Sequence, residues 1–185
     1  MNSGIIAERY AGALFALVRE NGSQDAVMEQ VRTILTLTGR LPELKSLLTQ
    51  RERISVEEKI ALLGTCVAPA PLEKSLEDFL RLMHRNERDA FFRLALLDFL
   101  ELYRREHNIM MVQVTKASPD VNPDLDIERI VKEKTGCTAA IREKVDPEII
   151  GGFIVETWNW KLDASVRRQL RDVEKTLTQM SKRIV

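Results

Sequence analysis

The chain has 185 residues, 44% of them hydrophobic and 30% charged, with 28 basic residues balanced by 28 acidic ones. Zero net charge argues against a general binder of nucleic acid or anionic membranes, and no apolar run approaches the roughly 18 residues of a membrane span. With only 5% aromatics, the core has to come from Leu, Ile, Val and Ala, which suits helices, and the length allows one large domain or two small ones.

No basic n-region or cleavage site opens the chain at Met1-Asn2-Ser3-Gly4, so the expectation is a mature cytoplasmic protein. On the first helix Ile6, Ala7, Tyr10, Ala11, Ala13, Leu14, Phe15, Leu17 and Val18 cover an arc of roughly 200°, about twice what one core face needs. Either this helix is central in a bundle, or part of it lines a groove for a partner helix, where the small Ala7 and Ala11 let a second backbone come close. Loops are marked by Asn21-Gly22, Gly39 to Pro42, Gln50 to Ile54, Ala68 to Pro71 and Asn86-Glu87; such short connections imply antiparallel helices. Ser55-Val56-Glu57-Glu58 has the form of a capping box and sets a helix start near residue 56. Before Asn86, the residues Leu72, Leu76, Phe79, Leu80, Leu82 and Met83 form a second wide apolar arc, and two such helices side by side could line one groove. Ala90 to Tyr103 is apolar almost all round, the pattern of a helix in the middle of a bundle.

After His107 the period changes to two, with Met110, Val112 and Val114 alternating with Met111, Gln113 and Thr115, and a new domain starts there. Ser118-Pro119-Asp120 and Asn122-Pro123-Asp124 are turn chemistry, a short helix fits 125–134, and Gly136 ends it. Further strands fit Thr138 to Val145, Gly152 to Thr157 and Trp160 to Leu162, with a hairpin turn at Trp158-Asn159. A last helix starts near Ser165, and its seam of Val166, Leu170, Val173, Leu177 and Met180 can cover a sheet or pair with another helix. The expected fold is mainly α: an N-terminal helical bundle over residues 1–107, then a small α+β domain over 108–185 in which a β-sheet packs with helices.

Chemistry is sparse. Lys132-Glu133-Lys134-Thr135-Gly136 lacks the glycine spacing of a phosphate loop, and Gly151-Gly152 reads as close backbone approach. His84 and His107 have no second ligand at helical spacing, and neither Cys66 nor Cys137 sits in a CxxC pair. The carboxylates are interleaved with Lys and Arg, as on a solvated helix face. No catalytic residue, cofactor or metal is expected. The segment Lys161 to Val185 carries seven basic and three acidic residues, so an RNA-binding helical protein is the alternative, although the segment's last helix lacks aromatics to stack bases.

Three segments carry a family resemblance. Ala7-Glu8-Arg9-Tyr10-Ala11-Gly12-Ala13-Leu14-Phe15, Phe79 to Arg88, and above all Asp146-Pro147-Glu148-Ile149-Ile150-Gly151-Gly152-Phe153 with Lys161-Leu162-Asp163-Ala164-Ser165-Val166-Arg167 resemble the delta subunits of bacterial F-type ATP synthase. The mitochondrial relative is the oligomycin sensitivity conferring protein. Departures are Ala164 and Trp158 where the family favours Gly, and Glu87 within a typical Asn-Gly-Arg. The resemblance implies a non-catalytic connector, one copy per complex, on the cytoplasmic side of the inner membrane. Its N-terminal six-helix bundle would grip N-terminal helices of alpha subunits, and its C-terminal domain would hold the C-terminal end of the b subunits. Matched onto this chain, the contact with the alpha subunits falls on Tyr10, Ala11, Leu14 and Phe15 with Phe79, Leu80 and Met83 across the groove. The stalk contact falls on the C-terminal domain, with Val166, Leu170 and Val173.

Overall fold

The structure is a computed structural model that describes residues 3–120 and 127–181. The chain divides into two compact units, Met1–His107 and Asn108–Val185. The Asn122-Pro123-Asp124 turn and the start of the following helix fall outside the described residues, as does the side chain of Met180.

The first unit holds six α-helices: α1 (Ser3–Asn21), α2 (Gln24–Arg40), α3 (Pro42–Thr49), α4 (Val56–Val67), α5 (Lys74–Arg85) and α6 (Phe92–Glu106), with one 3-10 turn at Asp89–Phe91. Local chemistry sets the boundaries. Gly22 takes a left-handed φ of 67°, and the Ser23 N–H donates to the Val18 carbonyl at 3.0 Å, closing α1 as only a residue tolerant of positive φ allows. Pro42 opens α3, where its missing N–H costs nothing. Ser55 and Glu58 complete the capping box: Ser55 Oγ accepts from the Glu58 N–H and Glu58 Oε2 accepts from the Ser55 N–H at 2.8 Å.

The core is a set of stripes at helical spacing. Ala7, Ala11, Leu14 and Val18 of α1 are buried with Leu76, Phe79, Leu80 and Met83 of α5 and with Phe92, Ala95, Leu96 and Phe99 of α6. The pair α1 and α6 packs most extensively. The second backbone that Ala7 and Ala11 admit is therefore found within the chain's own bundle. α6 is less enclosed than its composition suggests, because Leu94 and Leu97 remain exposed on its outer side. Polar ties also cross the bundle. The buried Gln30 amide donates to the Pro71 carbonyl at 2.7 Å and accepts from the Glu73 N–H at 2.9 Å, fixing the approach to α5. Tyr103 donates its hydroxyl to Asp25 Oδ1 at 2.6 Å, a bond that, with burial and the Asp25 charge, pushes the phenol up to about 12.

The second unit is a four-stranded mixed sheet in the order β2-β1-β3-β4, built from β1 (Ile109–Lys116), β2 (Thr138–Val145), β3 (Phe153–Glu156) and β4 (Lys161–Asp163). α7 (Ile127–Thr135) precedes β2, which is parallel to β1, while β1–β3 and β3–β4 are antiparallel. One face carries Met110, Val112, Val114 and Val155 against Ile127 and Val131 of α7, the period-two pattern read in the sequence. Trp158 stands exposed in the β3–β4 connection, where the Thr157 N–H donates to the Trp160 carbonyl at 2.9 Å. α8 (Val166–Ser181) closes the described chain.

The Gly151-Gly152 pair is where backbone meets backbone. Gly152 has φ 72°, and a Cβ there would run into the Ala164 carbonyl oxygen; a Cβ on Gly151 would lie 2.9 Å from Val166 Cγ2. A Gly152→Ala substitution is expected to destabilise the C-terminal unit by about 2 kcal/mol or more, through strain at positive φ and overpacking. Urea denaturation followed by Trp fluorescence measures this, since both tryptophans, Trp158 and Trp160, lie in this unit.

Candidate partner-binding surfaces

α1 turns one stripe into the core and a second towards a groove beside α5. At one end Ile5, Ile6, Arg9, Tyr10 and Ala13 face Leu82, Asn86 and Arg88 around a depression of about 750 Å³. Further along, Ala13, Leu14 and Leu17 face Asp78, Phe79, Arg81, Leu82 and Arg85 around one of about 350 Å³. The two share Ala13 and Leu82, so they form one groove between antiparallel helices. From Ile5 to Leu17 it runs about 18 Å, three turns of a helix.

The residues matched from the family pattern divide by burial. Tyr10 is a groove wall, half-buried, with its ring edge-on to Phe79 at 6.5 Å and its hydroxyl accepting from Asn86 Nδ2 at 2.9 Å. Leu14 and Phe79 lie under the groove and are almost wholly buried. Ala11, Leu80 and Met83 are core residues that do not line it. Phe15 is half-buried with its ring tilted against the core Phe99 at 6.0 Å. Ile5, Ala13 and Leu82 line the groove but are not among the residues matched from the family pattern, and the reason is physical: on an apolar arc wider than one core face, type alone does not say which side is inward. Ala13 carries the signal, being a small exposed residue offset by two from Ala11.

The turn that closes the groove is anchored from inside. Lys59 of α4 is fully buried and donates to Asp89 Oδ1 at 2.6 Å, and His84 Nδ1 lies 2.9 Å from the same oxygen. Burial pushes the Asp89 carboxyl up, but the hydrogen bonds and charges of Lys59 and His84 outweigh it and hold the group below its ordinary value. Between these anchors Glu87 adopts a left-handed φ of 59°, the conformation for which the family's glycine is suited. Glu87 also pairs with Arg51.

In the second unit the residues that carry the family motif hydrogen-bond and pack with one another. Ser165 caps α8: its N–H and Oγ both donate to Asp163 Oδ1, at 3.0 and 2.6 Å, and its Oγ accepts from the Arg168 N–H. The Ser165 side-chain hydrogen bond, above all, holds the Asp163 carboxyl low despite some burial. The Val166 N–H donates to the Gly151 carbonyl at 3.0 Å, and Arg167 pairs with Glu148. Beyond this clamp α8 stands uncovered, with Leu170, Val173 and Leu177 all more than half exposed on one seam while Val166 is half-buried at its base.

No helix among the described residues is long and apolar enough to cross a membrane, and no metal-binding cluster occurs among them. Comparison with known proteins agrees along the whole length. The family model described as ATP synthase delta (OSCP) subunit matches residues 6–177. The ATP synthase subunit delta of Phocaeicola vulgatus is 31% identical over 100% of both chains. That of Parabacteroides distasonis is 30% identical over 94% of this chain and 96% of its own. Among solved structures, a chain of the Toxoplasma gondii mitochondrial ATP synthase hexamer superposes with a TM-score of 0.65 at 17% identity, covering 93% of this chain and 97% of that one, which shows the same fold.

Two outcomes are expected. Asp89→Asn leaves Lys59 charged and buried with a weaker partner, so it should cost about 3–5 kcal/mol at pH 7. Because the Asp89 carboxyl is held below its unfolded value, its contribution is present above about pH 4 and lost as pH falls through the folded value. The gap between parent and Asp89→Asn, read by urea denaturation, therefore narrows in acid. Ala11→Arg places a charge in the core and should unfold the bundle by circular dichroism, whereas Ala13→Arg, two residues on, should leave the fold intact and fill the groove.

Proposed function

Because the chain belongs to the ATP synthase delta (OSCP) subunit family, we propose that its two uncovered apolar surfaces hold the two ends of a stator. The protein is structural and non-catalytic, a connector between the catalytic head and the peripheral stalk of F-type ATP synthase. In this reading the groove between α1 and α5 receives the N-terminal helix of an alpha subunit. Tyr10 and Ala13 touch it directly, Leu14 and Phe79 support it from below, and Ala11, Phe15, Leu80 and Met83 keep the walls in place. α8 takes the C-terminal end of the b subunits along Val166, Leu170, Val173 and Leu177. One copy serves each complex, held peripherally on the cytoplasmic side of the inner membrane by its partners.

The observation that carries this reading is the groove itself: a trough with an apolar floor, three turns long, left open beside the core that α1, α5 and α6 share. A helix laid in it would complete the packing of α1. A connector must hold both ends under torque. Nanomolar affinity corresponds to about 12 kcal/mol, more than a short helix gains without several buried anchors. Joining two such contacts through one chain raises the effective hold beyond either alone.

Calorimetric titration of the full-length chain with a peptide from the N-terminus of the same organism's alpha subunits tests the head contact. One-to-one binding that Ala13→Arg abolishes is the expected result; no heat from a folded parent chain would sink it. For the stalk, Leu170→Asp with Val173→Asp should release a fragment from the C-terminal end of the b subunits in a pull-down while the alpha peptide still binds.

A further inference from the structure

Three arginines around the groove have no acidic partner. Arg9 on α1, Arg85 on α5 and Arg88 in the turn after it line the groove with exposed side chains. Among the described residues none of them makes an ion pair or a side-chain hydrogen bond within the chain. Their neighbour Arg81 differs, since Glu77 and Asp78 of the same helix lie 3.3 and 3.6 Å from its guanidinium. Elsewhere on the bundle Arg19 is paired with Glu106 and Arg51 with Glu87, whereas Arg40 and Arg53 also have no ion pair among the described residues, so it is the place around one apolar groove that sets the three arginines apart. Cations at a helix C-terminus are favoured by the macrodipole, which accounts for Arg85 in the last turn of α5. It does not account for Arg9 in the N-terminal half of α1, where the dipole opposes a cation, so the macrodipole alone leaves the three unexplained.

An apolar floor with a cationic rim specifies the chemistry of what lies in it. We propose that the groove selects an amphipathic helix that carries carboxylates on its flanks, and that these are received by Arg9 and Arg88 at the end formed by Ile5 and Asn86 and by Arg85 in the adjoining section beside Leu17. The inference rests on the reading of this groove as the head contact and adds the rule by which the occupant is recognised. Guanidinium suits the task, because its planar fork can bind a carboxylate through two parallel N–H donors. A flat anionic bilayer would meet the arginines but could not fill a concave trough three helical turns long. Charges at the rim of an interface steer the encounter and set its register more than they add affinity. The apolar floor supplies the hold, and the arginines supply direction and choice of partner.

The experiment uses the full-length chain, its Arg85→Glu, Arg88→Glu double variant, and two probes. One probe is the N-terminal peptide of the alpha subunits of the same complex; the other has its Asp and Glu replaced by Asn and Gln. Affinity and association rate are measured at about 50 and about 500 mM NaCl, on either side of strong screening. The expected result is association about tenfold slower for the double variant at low salt, a difference that shrinks at high salt, and little discrimination between the two chains by the neutralised peptide. Both arginines are exposed, so thermal melting of the variant should match the parent. If the parent binds the native peptide but salt and charge reversal change nothing, the inference fails and the head-contact reading stands. If the folded parent binds neither peptide, both fall. If sedimentation instead shows the chain dimerising through contacts that the double variant breaks, the occupant is a second copy and the proposal is overturned.

Discussion

The contact between α1 and α6 is the constraint from which the rest of the bundle follows. Ala7, Ala11, Leu14 and Val18 recur at four, three and four residues and are all buried. Two alanines in that stripe let the helix axes approach closely, and the core aromatics Phe92 and Phe99 sit on the α6 side. Once this stripe faces inward, helix geometry leaves the next one, Ile6, Ala13 and Leu17, turned about a third of a turn away. α5 covers part of it and stops. The groove is what remains when a helix with an apolar arc wider than one core meets a bundle with too few helices to cover it.

Keeping such a groove open requires that its walls not collapse inward, and here the buried polar groups matter more than the apolar ones. Apolar contacts are non-directional, so α5 could slide or roll to cover Leu82 and Ala13 at little cost in contact. The Lys59–Asp89 pair removes that freedom. It ties α4 to the turn after α5 at one point, with His84 on the same oxygen, while Gln30 ties the chain before α5 at the other. A buried ion pair is poor evidence of net stability, since desolvation offsets much of the attraction, but it penalises every arrangement that separates the charges. The pair and the amide together hold α5 at both ends.

Much of this was legible in the sequence, and the unreadable part has a definite physical character. The capping box at Ser55, the change of period at His107 and the alternation along β1 are local signals, and local signals name elements and boundaries. The Asp146 to Arg167 segment carried the family resemblance, and within the chain its residues brace the base of α8. What one chain's pattern does not encode is which of two apolar stripes faces inward, because Ala11 and Ala13 differ only in what lies opposite them. The same holds for Lys59. Among Glu57, Glu58 and Lys59 it reads as solvated, and only the position of Asp89 thirty residues on makes it the most buried charge in the bundle.

The two surfaces also differ in how they are built, and the difference suits the tasks proposed for them. The groove is concave, braced from within by buried polar ties, and rimmed by charges, features that under the proposed function would fix one helix in one register. The seam of α8 is exposed, and among the described residues it is held at its base, where Ser165, Gly151 and Glu148 fix the first turn. A helix free along most of its length can follow a partner helix, whose contacts would repeat every seven residues, and can spread a pull over several side chains. If the groove holds the head and α8 the stalk, as proposed, a rigid socket and a compliant seam would fix the head in orientation while tolerating bending of the stalk. The division of labour lies in packing: buried cross-links where register counts, and one clamped helix end where reach does.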